Sequence, residues 1–255
     1  MEIKPGFLAL MVKLTPKLAK LVKVIKGFKF LGAVGSMAAY SWMFSWQMAI
    51  LILLLLFVHE YGHIWAMKRT GMKTKGIYFI PFFGGAAVPD EDFTTRKQEA
   101  YVALMGPVFG LGLTLIVLSL FFITHNNMWA GIAAWMALIN AFQFLPIHPM
   151  DGGRIIKSIC MSIQKKLGYF VIGMGFLLAL VLLIYFKIYL FVLLLPIGIL
   201  DVLFERKSKK VYESMNWQQM IKYGAGYAIV LFILIAIMFF AQHIPGAKEA
   251  LQVIM

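Results

Sequence analysis

The stretch ILLLLFVHEYGHIWAMKR, residues 52–69, decides how the rest of the chain is read. Its apolar run has the length and character of a helix in lipid, yet it carries His59, Glu60 and His63 in the pattern HExxH. On a helix, residues four apart share a face, so both imidazoles can reach one metal ion while Glu60 lies beside it. An ionised side chain at membrane depth costs about 3 kcal/mol, and such groups usually face a polar interior with a function. The competing reading has His59 and His63 merely capping or bridging neighbouring helices.

Working outward, the chain is 62% hydrophobic and 14% charged over 255 residues, well above the apolar share of a soluble domain. The bilayer is its solvent. Apolar runs fall at about 31–45, 47–67, 101–123, 129–147, 168–186, 188–204 and 224–242. The first is short and rich in small residues, so it either spans or only dips into the membrane. The expected fold is an all-α polytopic membrane protein of about six to seven transmembrane helices. With the N-terminus cytoplasmic and seven crossings, 22 of the 24 Lys and Arg residues lie on the inner side, Lys187 and Lys248 excepted. That distribution, together with a net charge of +13 spread between apolar runs, points to membrane orientation and away from nucleic acid.

The basic N-terminal segment, residues 1–30, lacks the charge layout of a cleaved signal peptide. It sets Leu10, Leu14, Leu18, Leu21 and Ile25 on one helical face with Lys13, Lys17 and Lys20 opposite. This reads as a helix on the cytoplasmic surface, meeting the lipid bilayer, or as a simple topology tag. The lone cysteine, Cys160, excludes an internal disulfide. No repeat and no polar segment long enough for an appended soluble domain is visible.

Catalytic zinc takes three protein ligands and an open position, so His59 and His63 leave a site one ligand short. The candidate third is Asp151 in NAFQFLPIHPMDGGR, residues 140–154, where Pro146 and Pro149 break the helix and Gly152 and Gly153 permit a turn. The alternative is that Asp151 caps a helix N-terminus.

At this point the chain resembles the site-2 proteases, intramembrane zinc metalloproteases. The likeness rests on HExxH in a hydrophobic span followed by Asn140, Pro146 and Asp151-Gly152 at the end of a later one. IPFFGG at residues 80–85 and MGPVFGLGL at residues 105–113 resemble family segments between the two motifs. The resemblance covers residues 45–154. It implies Zn2+ bound by His59, His63 and Asp151, with Glu60 as catalytic base and Asn140 near the reacting carbonyl. It also implies a transmembrane protein substrate, cut in regulated intramembrane proteolysis at the cell membrane. His148 departs from the family pattern, and a substitute or transient ligand is the minor alternative it offers to Asp151.

The same resemblance suggests that the apolar, glycine-rich piece near 77–90 is a short membrane-dipping β-hairpin or loop that receives extended substrate by edge pairing. A plain cytoplasmic turn is the alternative, and it would leave Phe79, Ile80, Phe82 and Phe83 poorly placed in water. The expected organisation is residues 1–30 on the membrane surface, a metalloprotease core over 31–204, and a basic loop with a last span over 205–255. Two rivals are a catalytically inactive relative and a metal or proton transporter. The transporter would need a polar route through several spans, and no further intramembrane charge is read in the runs.

Overall fold

A computed structural model describes residues 28–81, 84–207 and 212–247. The amphipathic reading of residues 1–27, and Phe82 and Phe83, lie outside the described residues. The elements in chain order are α1 (Phe28–Met43), α2 (Trp46–Arg69), β1 (Thr74–Ile80), β2 (Gly84–Pro89), α3 (Arg96–Thr124), α4 (Asn127–Gln143), α5 (Asp151–Ile163), α6 (Lys165–Phe186), α7 (Phe191–Lys207) and α8 (Trp217–Gln242).

Each of the seven apolar runs falls on a helix, and side-chain caps mark several starts. Ser45 accepts from the Met48 N–H at the head of α2, Thr95 from Gln98 at α3, and Asn126 from Met128 at α4. Asn216 and Gln219 form a reciprocal capping box at α8. Among the described residues four helices, α2, α3, α6 and α8, are long and apolar enough to cross a membrane. The run expected over 129–147 stops at Gln143, because the prolines that follow turn the chain toward Asp151.

The segment 148–167, taken from sequence as a connection on the inner side, is mostly the amphipathic helix α5. It packs against α3 and α6 and buries Ile155, Lys157, Ser158 and Met161. The hairpin expected near 77–90 is present and begins slightly earlier. β1 and β2 pair antiparallel, with Ile77 opposite Ala87 and Tyr78 opposite Ala86. β1 lies against α1, and β2 lies against α2.

Helix α2 is the innermost of the long helices: 56% of its most apolar window is buried, against 33% for α3 and 22% for α6 and α8. Across the bundle, small residues fill the helix contacts, with Ala49, Ala66, Ala100, Ala130, Ala133 and Ala137 all fully buried. That is how helices associate in lipid, where apolar burial alone gives no preference for protein over bilayer. The outward faces carry Trp42, Phe122, Ile184, Phe204, Phe232 and Phe239, which suits contact with acyl chains.

Candidate metal centre

Helix α2 stacks His59 and His63 one turn apart, and both are buried with Glu60 between them. Their Nε2 atoms lie 3.2 Å apart. The first residue of α5, Asp151, brings its Oδ2 to 3.0 Å from His59 Nε2 and 3.3 Å from His63 Nε2. The helix-cap alternative for Asp151 does not describe this geometry. Met150 occupies the N-cap position without a side-chain bond, and the carboxylate turns to the imidazoles.

The outer ring nitrogens fix the protons. His63 Nδ1 lies 2.8 Å from the Val102 carbonyl oxygen, which can only accept. Asn140 Nδ2 donates to the Pro107 carbonyl at 3.1 Å, so its Oδ1 is the atom facing His59 Nδ1 at 2.8 Å. With protons on both Nδ1 atoms, each ring in its neutral form would turn an Nε2 lone pair toward the other ring and toward the Asp151 carboxylate. Three converging lone pairs in a buried site suit a cation between them. Ligand atoms on a tetrahedral zinc with bonds of 2.0–2.1 Å stand about 3.3 Å apart, close to the three separations observed. The donor set therefore fits the ion that the sequence motifs imply.

A looser grouping of His59, Glu60 and His63, all within 4.8 Å, also has metal-binding composition. Asp151 approaches the imidazoles more closely, and Glu60 is engaged elsewhere. Its Oε2 accepts the backbone N–H of Ala87 in β2 at 2.7 Å. Glu60 thus stands beside the three-atom cluster rather than within it.

Of the residues singled out in the sequence, His59, Glu60, His63, Asn140 and Asp151 come together. Asn140 is fully buried with both ends of its carboxamide engaged. His148 is not brought to the cluster: its Nε2 meets Asp201 Oδ2 at 2.8 Å. Asp201 itself corrects the reading that the apolar runs hold no further charge, since it lies inside 188–204.

Three contributors escaped the sequence reading. Val102 and Ala87 act through the main chain, which leaves no side-chain signature. Gly106 had a signal, in that MGPVFGLGL drew attention without a role. A Cβ there would sit 2.2 Å from His63 Nε2 and 2.8 Å from His59 Nε2, so only glycine lets α3 stand against the two rings.

Comparison with known proteins meets this geometry at the HExxH helix and α3. Residues 47–127 match the family model of peptidase family M50. Over that stretch the chain is similar to this peptidase family. The resemblance to site-2 proteases drawn from the two motifs is thereby borne out. Zinc metalloprotease MJ0392 of Methanocaldococcus jannaschii is 31% identical over 125 residues, 47% of this chain and 35% of that protein. Stage IV sporulation protein FB of Bacillus subtilis is 26% identical over 107 residues, 41% of this chain and 37% of that one. The chain thus spans about a third of the length of these curated relatives. A solved structure, the Site-2 Protease from Methanocaldococcus jannaschii, aligns over 89% of each chain with 19% identity and a TM-score of 0.46. The apolar helices, together with the similarity to this membrane-protease family, make this a multi-pass integral membrane protein, and Zn2+ is the implied metal.

Proposed function

We propose that the protein is a zinc metalloendopeptidase that hydrolyses peptide bonds of membrane-spanning proteins, in regulated intramembrane proteolysis. The observation that carries this reading is the buried triangle of His59 Nε2, His63 Nε2 and Asp151 Oδ2, with Glu60 alongside. His59, His63 and Asp151 would hold the ion. When bound, zinc supplies Lewis-acid polarisation of the scissile carbonyl and acidifies water. Glu60 takes a proton from the attacking water and passes it to the departing amide nitrogen.

Asn140 serves this chemistry through His59. Its Oδ1 holds the Nδ1 proton and orients the ring, and its Nδ2 is tied to Pro107. This arrangement favours a positioning role over direct contact with the reacting carbonyl.

The hairpin supplies the substrate track. The Ala87 N–H points away from β1 toward Glu60, and strand alternation directs the Gly85 and Ala87 main chain to that edge. An extended peptide paired there lies beside the base, which requires the substrate helix to unwind locally. Charge distribution supports a cytoplasmic N-terminus, in a protein placed in the cell membrane under this reading.

The deciding experiment reconstitutes purified, zinc-loaded protein with a transmembrane peptide. Cleavage that disappears on chelation and returns with zinc is expected. Cleavage that persists without metal would overturn the proposal.

A further inference from the structure

Asp151 sits at a junction between loop and helix, and a ligand so placed needs something to hold it in position. The turn before it and the helix after it are both tied to α7. Three residues upstream, the buried His148 ring meets Asp201 through Nε2 at 2.8 Å. Six residues downstream, Lys157 Nζ lies 3.0 Å from Glu205 Oε2, with only 3% of its side chain exposed. Asp201 and Glu205 are four residues apart and share one face of α7. Gly198 belongs to the same face, one turn earlier. A Cβ there would come within 2.7 Å of the His148 carbonyl oxygen and 3.1 Å of Pro149 Cδ, so α7 packs directly against the backbone of the turn.

The two arms differ in company. The Lys157–Glu205 arm belongs to a wider buried cluster, in which Glu99 lies 2.5 Å from Lys157 Nζ and also pairs with Arg96, while Arg96 reaches Glu205 as well. Such a cluster fastens α3, α5 and α7 together whatever the chemistry nearby. The Asp201–His148 arm has no such explanation. Asp201 is itself half-exposed, and the fully buried His148 ring is the group it meets.

We propose that α7 is a two-point acidic clamp on the Asp151 segment, in which Asp201, acting through His148, is a positioning residue for the third metal ligand. The inference rests on the assignment of Asp151 as that ligand. A shift of α7 would reach Asp151 from both sides, so the metal site is sensitive to a helix that contributes no atom to it.

The test uses the full chain, purified and loaded either with zinc or with cobalt(II). Asp201→Ala is expected to release zinc to a chelator about tenfold faster and to change the visible spectrum of bound cobalt, as loss of an outer-shell support does. His148→Gln should do the same, and the double variant should be no worse than either alone. Asp201→Asn, which still offers His148 an oxygen, should recover most of the retention. Zinc release and a cobalt spectrum matching the unmodified protein in Asp201→Ala, whether or not turnover falls, would overturn the clamp. If Asp201→Ala fails to fold, the same two measurements on His148→Gln decide the matter. Asp151→Asn run in parallel separates the two ideas: normal metal retention there refutes the ligand assignment, whereas loss there with none in the α7 variants refutes only the clamp.

Discussion

Ala87 gives its backbone N–H to Oε2 of Glu60 across 2.7 Å, joining the hairpin to the HExxH helix at the group assigned to move protons. One carboxylate oxygen is therefore committed to β2. The position of the base depends on the strand along which a substrate would lie.

Glu60→Gln keeps an oxygen for the Ala87 N–H and leaves both imidazoles in place, while removing the proton acceptor. Zinc content should stay near that of the unmodified protein, and cleavage should fall by about a hundredfold to ten-thousandfold. Uncut substrate should co-purify with the variant. A variant that cleaves at close to the normal rate contradicts the assignment of Glu60.

Asp151→Asn retains the shape of the side chain and removes its charge from the two Nε2 atoms. Metal analysis should show loss of most bound zinc together with loss of activity, because three protein ligands fall to two. His148→Ala, whose ring faces Asp201, should fall short of that loss. Full zinc occupancy with normal turnover in Asp151→Asn would remove it from the ligand set.

Asn140→Ala takes away the acceptor that keeps the His59 proton on Nδ1. Metal affinity is expected to drop by about 10- to 100-fold, the usual effect of losing a partner behind a ligating histidine. Competition with a zinc chelator measures this directly. Unchanged affinity alongside lost cleavage would instead return Asn140 to the reacting carbonyl.

Gly106→Ala places a methyl group in the space taken by the His63 and His59 rings. Overpacking of this kind costs about 1–3 kcal/mol, and here it also displaces ligands. Thermal unfolding in detergent and zinc per chain should both decline. Gly112→Ala on the same helix, where nothing lies within 4 Å, should change neither.

Membrane orientation is open to single-cysteine labelling after Cys160→Ser. A cysteine at Asn126 should react with an impermeant reagent from outside, and one at Glu91 should not. The opposite pattern reverses the topology.

The apolar runs and the two motifs made most of the fold legible, because lipid solvent forces helices and HExxH fixes a shared helical face. The hairpin was legible for a different reason, its glycines and aromatics resembling a known segment. What stayed hidden depends on meetings that sequence does not express. Asp201 was passed over at the end of an apolar run, and its meeting with His148 shows only when α7 is laid beside the turn. Helix α5 was passed over because its polar residues suit a connecting loop, and only the core shows Lys157 and Ser158 turned inward toward Glu99. Val102 and Ala87 contribute backbone atoms, for which almost any side chain would serve.

The contact between His59 and Asp151 joins positions 92 residues apart. An ion held between them acts as a removable cross-link, closing a long stretch of chain that the rest of the structure must otherwise hold shut. Free metal at a hundred times its dissociation constant would add about 2.7 kcal/mol to the folded form. Scarcity of zinc would then do more than idle the protein. It would shorten its lifetime in the membrane, and the amount of protein present would report the metal supply of the cell.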